Sequence, residues 1–236
     1  MTRDTASPTP LAPPQRGSAG ALSVVTCHSS LTIRHLGLVP YQQTWEAMKA
    51  FTATRTAETT DEIWLLEHPP VYTYGVAGRA EHLPSANCGV PILKVDRGGQ
   101  VTFHGPGQLI VYALIDLRRR NLGVRDLVRL LEQAVLDLLQ ESGMRAERRT
   151  GAPGVYVDDA KIAALGLRIR GGCSYHGLSL NVNVDLAPFD AIDPCGYPGL
   201  TVTRARDLGL ADSMDELGER LVGKITQLLV ATEKRK

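Results

Sequence analysis

The residue best suited to covalent chemistry is a cysteine set among prolines and glycines. Cys195 lies in the stretch 193–199 (DPCGYPG). A thiol presented by such a stiff loop is accessible, and an accessible thiol beside a cation becomes a thiolate nucleophile. An inert loop thiol explains the same residues equally well. Cys173, which follows two glycines, is the rival candidate, whereas Cys27 and Cys88 have no comparable setting.

A lysine could supply the cation. Lys161 follows Asp158 and Asp159 and opens the apolar run 162–165. Taken by itself it is typical of a solvated surface lysine, which is what most lysines are. At the edge of a pocket, its ammonium would instead stabilise a thiolate. His176 could act as a base, although a histidine with a structural hydrogen bond fits its setting at least as well.

A glycine-rich segment, residues 96–108 (DRGGQVTFHGPGQ), offers the backbone of a binding site. Glycine permits a close approach of the main chain to a ligand, and such loops can present N–H groups to a carbonyl or a phosphate. A tight turn without a ligand would explain the glycines alone, but Arg97, His104 and Gln108 favour a site. The segment matches neither GxxxxGK[ST] nor GxGxxG, so a nucleotide loop is not supported.

Strand and helix patterns surround these segments. We predict strands at 22–27, 31–36, 62–67, 71–75, 92–95, 108–117, 154–158, 161–170 and 174–184, with the almost wholly apolar 108–117 at the centre of a sheet. Helical spacing marks the apolar faces Tyr41, Trp45, Met48 and Phe51; Leu127, Leu131, Ala134, Val135 and Leu138; and Met214, Leu217, Leu221, Ile225 and Leu228. Ser213 and Glu216 form a capping box before the last of these helices. With no repeat and no linker, the prediction is one α+β domain over 21–236, a mixed sheet with packed helices, after a disordered extension at 1–20.

Composition limits the classes of function. The 236 residues carry a formal net charge of +1, without the basic excess that nucleic-acid binding requires. No apolar run approaches the ~18 residues of a membrane span, and residues 1–20 lack the apolar core of a secretory signal. The four cysteines show no CxxC pair and no zinc spacing. We therefore expect free thiols in a reducing, cytoplasmic compartment, with no metal and no cofactor.

Taken together and in this order, five segments resemble the lipoyl(octanoyl)transferase family. They are EHPPVYTYG (67–75), RGGQVTFHGPGQLIVYALIDL (97–117), GVYVDDAKIAALGLRI (154–169), YHGLSLNVNVDL (175–186) and DPCGYPGLTVT (193–203). They span most of the chain after residue 60, and their combination is far more specific than any one part. The resemblance implies the α+β fold of the biotin and lipoate protein ligase catalytic domain.

The resemblance also implies an activity and the residues that perform it. The family transfers an octanoyl or lipoyl group from acyl carrier protein to a lysine of a lipoyl domain, in 2-oxo acid dehydrogenase complexes or the glycine cleavage H protein, as the first step of protein lipoylation. Cys195 matches the cysteine that carries the acyl thioester, and Lys161 matches the lysine that lowers its pKa. Asp193 departs from the pattern, where members often have Asn. The acyl pocket corresponds to Arg97, Gly98, Gly99, Gln100, Val101, Thr102, Phe103 and His104, to Ala164, Leu165 and Gly166, and to Gly177, Leu178 and Ser179.

Other interpretations stay open on sequence alone. An ATP-dependent lipoate or biotin protein ligase would share the fold without a nucleophilic cysteine, and a non-catalytic acyl-carrier-binding module would never become acylated. Backbone amides near Leu165 and Gly166, or in the turn of Gly98 and Gly99, are candidates to hold the oxyanion. Acyl carrier proteins are acidic, so a basic rim would speed their encounter. Its candidates are Arg118, Arg119, Arg120, Arg145, Arg148 and Arg149, although solvated arginines explain them equally well.

Overall fold

A computed structural model describes residues 24–26, 31–84, 89–193, 199–210 and 212–233. Cys195 lies outside these ranges. The strands are β1 (Val24–Thr26), β2 (Leu31–Leu38), β3 (Asp61–Glu67), β4 (Val71–Tyr74), β5 (Ile92–Lys94), β6 (Val101–His104), β7 (Gln108–Leu114), β8 (Glu147–Arg149), β9 (Ala152–Val157), β10 (Ala160–Arg170) and β11 (Cys173–Asn181). The α-helices are α1 (Tyr41–Ala53), α2 (Leu117–Arg120), α3 (Val124–Glu141) and α4 (Met214–Glu233).

The strands form a mixed eight-stranded sheet and a smaller three-stranded one. The large sheet has the order β1-β2-β3-β7-β11-β10-β9-β8, and its pairs are antiparallel except for the parallel pair of β2 with β3. In the small sheet β4 lies between β5, which is parallel to it, and β6, which is antiparallel. Strand β7 is buried along its whole length between β3 and β11, which confirms its predicted central place.

One face of the large sheet is covered by α3 and α4. The predicted face of α3 packs into the main core, and its residues Leu127, Leu131, Ala134, Val135 and Leu138 have no exposed surface. Leu217, Leu221 and Ile225 do the same on α4. The predicted capping box opens α4, because Ser213 N donates to Glu216 Oε2 (2.8 Å) and Glu216 N donates to Ser213 Oγ (3.3 Å). Burying these apolar faces is the main force that holds both helices on the sheet.

The opposite face carries α1 and the small sheet. Met48 of α1 packs against Trp64, Tyr112 and Tyr175 of three neighbouring strands. The small sheet lies beside this cluster and has its own core of Tyr72, Phe103 and Phe189, among others. The space between the two sheets forms the candidate active site. None of the helices in the described ranges is long and apolar enough to cross a membrane.

Three predicted boundaries were wrong. The segment 96–108 contains β6, because Val101, Thr102 and Phe103 favour a pleated strand and pair with β4. The strand predicted over 108–117 ends at Leu114, after which Asp116 caps α2 by accepting from Arg119 N (3.0 Å). The strand predicted over 174–184 ends at Asn181, since the next two N–H groups donate to Gly107 O instead of to a neighbouring strand. The predicted domain limits stay a prediction.

Candidate active site

A slot lies between the glycine-rich segment and strands β10 and β11. With the open solvent at its mouth included, the slot encloses about 480 Å³ of empty space, and its interior is narrow. All of the predicted pocket residues line it except Gly98 and Phe103. The N–H of Gly98 instead donates to Leu167 O (2.9 Å), and the ring of Phe103 packs against Tyr72 and Phe189. Tyr41, Ile110, Tyr112 and His176 complete the lining.

Two glycines allow close backbone contacts at the slot, Gly166 of β10 with the glycine-rich segment and Gly177 of β11 with the neighbouring strand β7. A Cβ atom at Gly166 would lie 2.9 Å from Gly98 O, and one at Gly177 would lie 2.0 Å from Val111 O. Real Cβ atoms do not approach backbone oxygens this closely, so a larger residue at either place would push the backbones apart. Both glycines are therefore required for the spacing of the strands and the loop.

Arg97 braces the loop. Its guanidinium is buried and donates from Nη2 to Thr73 O (2.8 Å) and to Gln100 O (2.9 Å). Nε and Nη2 also donate to Thr73 Oγ1, at 3.2 and 2.9 Å. The planar fork of arginine suits such multiple bonding. Arg97 thus joins β4 to the turn before β6 and holds one wall of the slot in place.

A buried hydrogen-bond chain continues from Thr73 through His104, Gln108 and Asn181 to Thr203. Burial lowers the pKa of His104 well below its usual value, so its ring is neutral. Its Nδ1 donates to Gln108 Oε1 (2.7 Å), and its Nε2 accepts from Thr73 Oγ1 (3.3 Å). Gln108 Nε2 donates to Asn181 Oδ1 (2.8 Å), and Asn181 Nδ2 donates to Thr203 O (3.0 Å). The sequence analysis found His104 and Gln108 but not Thr73 or Asn181, whose places in apolar strands gave the only signal.

Lys161 is buried, with 3% of its surface exposed. Taken by itself, the residue predicted a solvated surface lysine, and that interpretation was wrong. Its Nζ donates to Pro153 O (3.2 Å) and lies 5.2 Å from the centroid of the Tyr156 ring. The side chain passes over Gly154, where a Cβ atom would lie 3.0 Å from Lys161 Cε. Its backbone N–H donates to Thr201 O (2.8 Å), and its carbonyl accepts from Thr203 N (3.0 Å).

The pairing of Lys161 with Cys195 stays a prediction, because Cys195 lies outside the described residues. Residues on both sides of it are described. Phe189 before it and Val202 after it line one small cavity together with Lys161. That cavity shares Thr102, Ala164 and Ser179 with the slot, so Lys161 lies at one end of the slot.

One further contact holds Asp193, the last described residue before Cys195. The carboxylate of Asp193, two residues before the cysteine, accepts from Nδ1 of His82 (2.8 Å). His82 is only slightly exposed and belongs to a short 3₁₀ helix, Ala80–His82, which lies between β4 and β5 in the chain. Sequence patterns gave no indication of this histidine.

Cys173 lies far from Lys161. It is paired with Arg170, nine residues along β10 from Lys161, which corresponds to about 30 Å at the usual rise of a strand. Burial raises the pKa of its thiol. A buried thiol of raised pKa at the far end of the strand fits a packing role.

His176 lies at the other end of the slot. Its Nε2 donates to Asp96 Oδ1 (3.1 Å), and the same carboxylate accepts from Trp45 Nε1 (2.8 Å) and from the Tyr175 hydroxyl (2.5 Å). Burial lowers the pKa of His176, although Asp96 opposes that shift. These contacts match the structural alternative for this histidine, while its place in the lining leaves it in reach of a ligand.

Three buried aromatic residues near His176 were missed by the sequence analysis. The Tyr112 hydroxyl donates to His68 Nε2 (2.7 Å), whose Nδ1 donates to Val39 O (2.7 Å). Burial lowers the pKa of His68 to about 4, raises that of Tyr41 to about 12, and raises that of Tyr112 well above its usual value. All three side chains are therefore neutral near pH 7. Among the described residues, no group of three or more His, Cys, Asp or Glu side chains could hold a metal ion.

Most arginines of the predicted basic rim are held by carboxylates. Arg119 and Arg120 both contact the fully buried carboxylate of Asp61, at 2.7 and 2.5 Å. Arg148 pairs with Glu132 (3.1 Å), and Arg149 pairs with Asp159 and Glu147. Arg120 is itself buried, so it does not belong to a rim. Arg118 and Arg145 are the two members that lie exposed without a described ion pair.

A comparison with protein families identifies the chain. The profile of the lipoyl protein ligase A/B catalytic domain matches residues 40–226, which contain the slot, Lys161 and Cys195. The chain belongs to this family. Relatives named octanoyltransferase include one from Azoarcus sp., 60% identical over 90% of the chain and 92% of the relative, and one from Aromatoleum aromaticum, 61% identical over 85% and 86%. The predicted family is thereby confirmed.

Solved structures of the family and its neighbours share the fold at low identity. A bipartite lipoate protein ligase from Thermoplasma acidophilum superposes with a TM-score of 0.68 at 17% identity, over 85% of the chain and 83% of the other protein. A lipoate-protein ligase A bound with ATP gives 0.68 at 15%, over 86% of each chain. The biotin protein ligase of Aquifex aeolicus gives 0.54 at 11%, over 89% and 74%. The predicted α+β fold of biotin and lipoate protein ligases is confirmed.

Proposed function

We propose that the chain transfers an octanoyl group from acyl carrier protein to a lysine of a lipoyl domain, through a thioester on Cys195. The observation that carries this proposal is the identity of about 60% to octanoyltransferases over most of both chains. The slot supports it, because it offers a narrow space between two walls with Lys161 at one end. The acceptors would be the lipoyl domains of 2-oxo acid dehydrogenase complexes and the glycine cleavage H protein, and a cytoplasmic location stays a prediction.

The first step is an exchange of thioesters. The Cys195 thiolate attacks the carbonyl carbon of the carrier-bound octanoyl group, a new C–S bond forms, and the carrier thiolate leaves and takes up a proton. Because one thioester replaces another, the step needs no ATP. An ammonium about 4 Å from the thiolate stabilises it by roughly 1 to 4 kcal/mol. Lys161 is the cation at this end of the slot and can give its proton to the leaving thiol.

The second step forms the amide. The neutral amine of the acceptor lysine attacks the Cys195 thioester, the C–S bond breaks, and the amine loses a proton that Lys161 or the thiolate accepts. Conversion of a thioester into an amide is downhill, so the product is not returned. The covalent intermediate lets donor and acceptor visit the same site one after the other.

The length of the slot fits a medium-chain acyl group. Strand β11 forms its floor from Ser179, at the Lys161 end, to His176. Three residues of strand span about 10 Å, the length of an extended chain of eight carbons. Each methylene that leaves water contributes about 0.8 kcal/mol, so a chain that fills the slot binds better than a shorter one.

The alternative of an ATP-dependent ligase has only the fold in its favour. The solved ligases share 11–17% identity with the chain, whereas the octanoyltransferases share about 60%.

Intact mass spectrometry tests the proposal. We expect the chain to gain the mass of one octanoyl group when mixed with octanoyl carrier protein without ATP, and peptide mapping to place the group on Cys195. The variant Cys195→Ser should remain unmodified, while Cys173→Ser should behave as the unaltered chain. An adduct on Cys173, or transfer that requires free octanoate and ATP, would contradict the proposal.

A further inference from the structure

The buried hydrogen-bond chain has a fixed direction. Arg97 carries only donors, and it fills the acceptor capacity of Thr73 Oγ1 with two N–H groups. The single proton of the Thr73 hydroxyl therefore goes to His104 Nε2. That leaves the His104 proton on Nδ1, facing Gln108 Oε1, and so orients the amide of Gln108. The orientation of each side chain is therefore set by the side chain before it.

The direction holds as far as Thr203. Gln108 presents its NH₂ group to Asn181 Oδ1, and Asn181 in turn presents its NH₂ group to Thr203 O. All three side chains in the middle of the chain, His104, Gln108 and Asn181, are buried. Buried polar groups that satisfy one another in this way rigidify the structure around them.

The far end of the hydrogen-bond chain fixes the segment that follows Cys195. Thr203 N donates to Lys161 O, and Lys161 N donates to Thr201 O. The segment around Val202 meets β10 through an isolated bridge at Lys161 and not through a continuous strand. The contact of Asn181 with Thr203 O therefore sets how this segment lies against Lys161.

We propose that Asn181 is a positioning residue for acyl transfer, which acts through Thr203 to hold the segment after Cys195 against Lys161. Thr73, His104 and Gln108 tie that arrangement to the wall of the acyl slot. The proposal rests on the proposed function. It assigns no proton transfer to the hydrogen-bond chain, since its members act by orientation.

Two variants break the hydrogen-bond chain at different places without adding charge. Asn181→Leu keeps the size of the side chain and removes both contacts, while Thr73→Val removes a hydroxyl at the opposite end. Thr52→Val is the matched control, because Thr52 is also buried and its hydroxyl has no partner among the described residues. The double variant Thr73→Val, Asn181→Leu tests whether the two sites belong to one unit.

The measurements are the single-turnover rate of octanoyl transfer and the pH dependence of Cys195 alkylation by iodoacetamide, followed on the Cys195 peptide. We expect Asn181→Leu to slow transfer about tenfold or more, as for a buried hydrogen bond left unmade, and to move the alkylation midpoint to higher pH. Thr73→Val should also slow transfer and raise the alkylation midpoint, but both changes should be smaller than those of Asn181→Leu. The double variant should be no slower than Asn181→Leu alone, and Thr52→Val should match the unaltered chain.

A folded Asn181→Leu variant with an unaltered alkylation profile would overturn the proposal, as would additive effects in the double variant. If Asn181→Leu does not fold, Thr73→Val decides, because an unchanged profile there overturns the proposal by itself. An unaltered chain that never accepts the octanoyl group would refute the proposed function instead.

Discussion

The rings of Tyr175 and His176 stack with their centroids 5.1 Å apart, although the two residues are adjacent in β11. Neighbours in a strand normally point to opposite faces of the sheet. His176 has a φ of 61°, in the left-handed region, and this turns its side chain to the face of Tyr175. The backbone at one residue thus places an imidazole in the slot beside Asp96.

This backbone conformation predicts which replacements of His176 are tolerated. Asn adopts the left-handed region readily, whereas a β-branched residue does so only with strain. We expect His176→Val to be less stable than His176→Asn by roughly 1–2 kcal/mol in urea unfolding. Equal stabilities would show that β11 relaxes there at no cost.

Removal of the Lys161 charge should raise the pKa of the Cys195 thiol. In Lys161→Met the apolar stem is kept and the ammonium is lost, so we expect the midpoint of Cys195 alkylation to move to higher pH. Lys161→Arg keeps the charge but holds its proton tightly, and it should retain a reactive thiol while transferring slowly. The measurement is the pH dependence of alkylation, with Lys94→Met as the exposed-lysine control. A Met variant with the original midpoint would limit Lys161 to positioning or proton transfer.

A methyl group at Gly154 should displace Lys161. The added Cβ would lie 2.7 Å from Ala163 O and 3.0 Å from Lys161 Cε, at a φ of 142° that suits only glycine. We expect Gly154→Ala to slow octanoyl transfer about tenfold or more and to shift the alkylation midpoint as Lys161→Met does. Gly143→Ala is the control, since Gly143 also has a positive φ but open space around it. If both variants transfer equally well, the side chain of Lys161 does not depend on this contact.

The depth of the slot should set the preferred chain length. Ala164 lines both the slot and the cavity of Lys161, so Ala164→Leu shortens the slot from its Lys161 end and leaves less of its length for the acyl chain. Each methylene excluded costs about 0.8 kcal/mol, or roughly fourfold in affinity. We expect hexanoyl to gain on octanoyl in competition between carrier-bound donors, and no change for the exposed control Ala57→Leu. An unchanged preference in Ala164→Leu would place the acyl chain elsewhere.

The buried histidines should make the fold sensitive to acid. The pKa of His68 falls from about 6.5 when exposed to about 4 in the fold. The unfolded chain then binds the proton more tightly, so the stabilisation is complete above about pH 6.5 and is lost as the pH falls towards 4. This histidine alone accounts for about 3 kcal/mol. The melting temperature of His68→Gln should decline less between pH 7 and 4.5 than that of the unaltered chain, and parallel declines would exclude His68 as a cause.

Local sequence patterns predicted much of the fold. The apolar faces of α1, α3 and α4, the capping box at Ser213 and the central place of β7 follow from periodicity, because burial of an apolar face depends on spacing along the chain. The boundaries that failed in β6 and after Asn181 were decided by pairing with backbone groups that are distant in sequence. Pairing of that kind joins residues distant in sequence, so no local pattern reports it.

The sequence by itself determined the family, the slot segments and the two residues proposed for catalysis, because their combination of motifs is specific. Only the tertiary structure decided that Lys161 is buried, that Arg97 braces a loop, and that Thr73 and Asn181 are joined through His104 and Gln108. It also showed most of the predicted basic rim to be held in ion pairs. These properties depend on neighbours brought together from separate strands, and the solvent exposure and hydrogen-bond partners of a polar side chain are properties of that assembly.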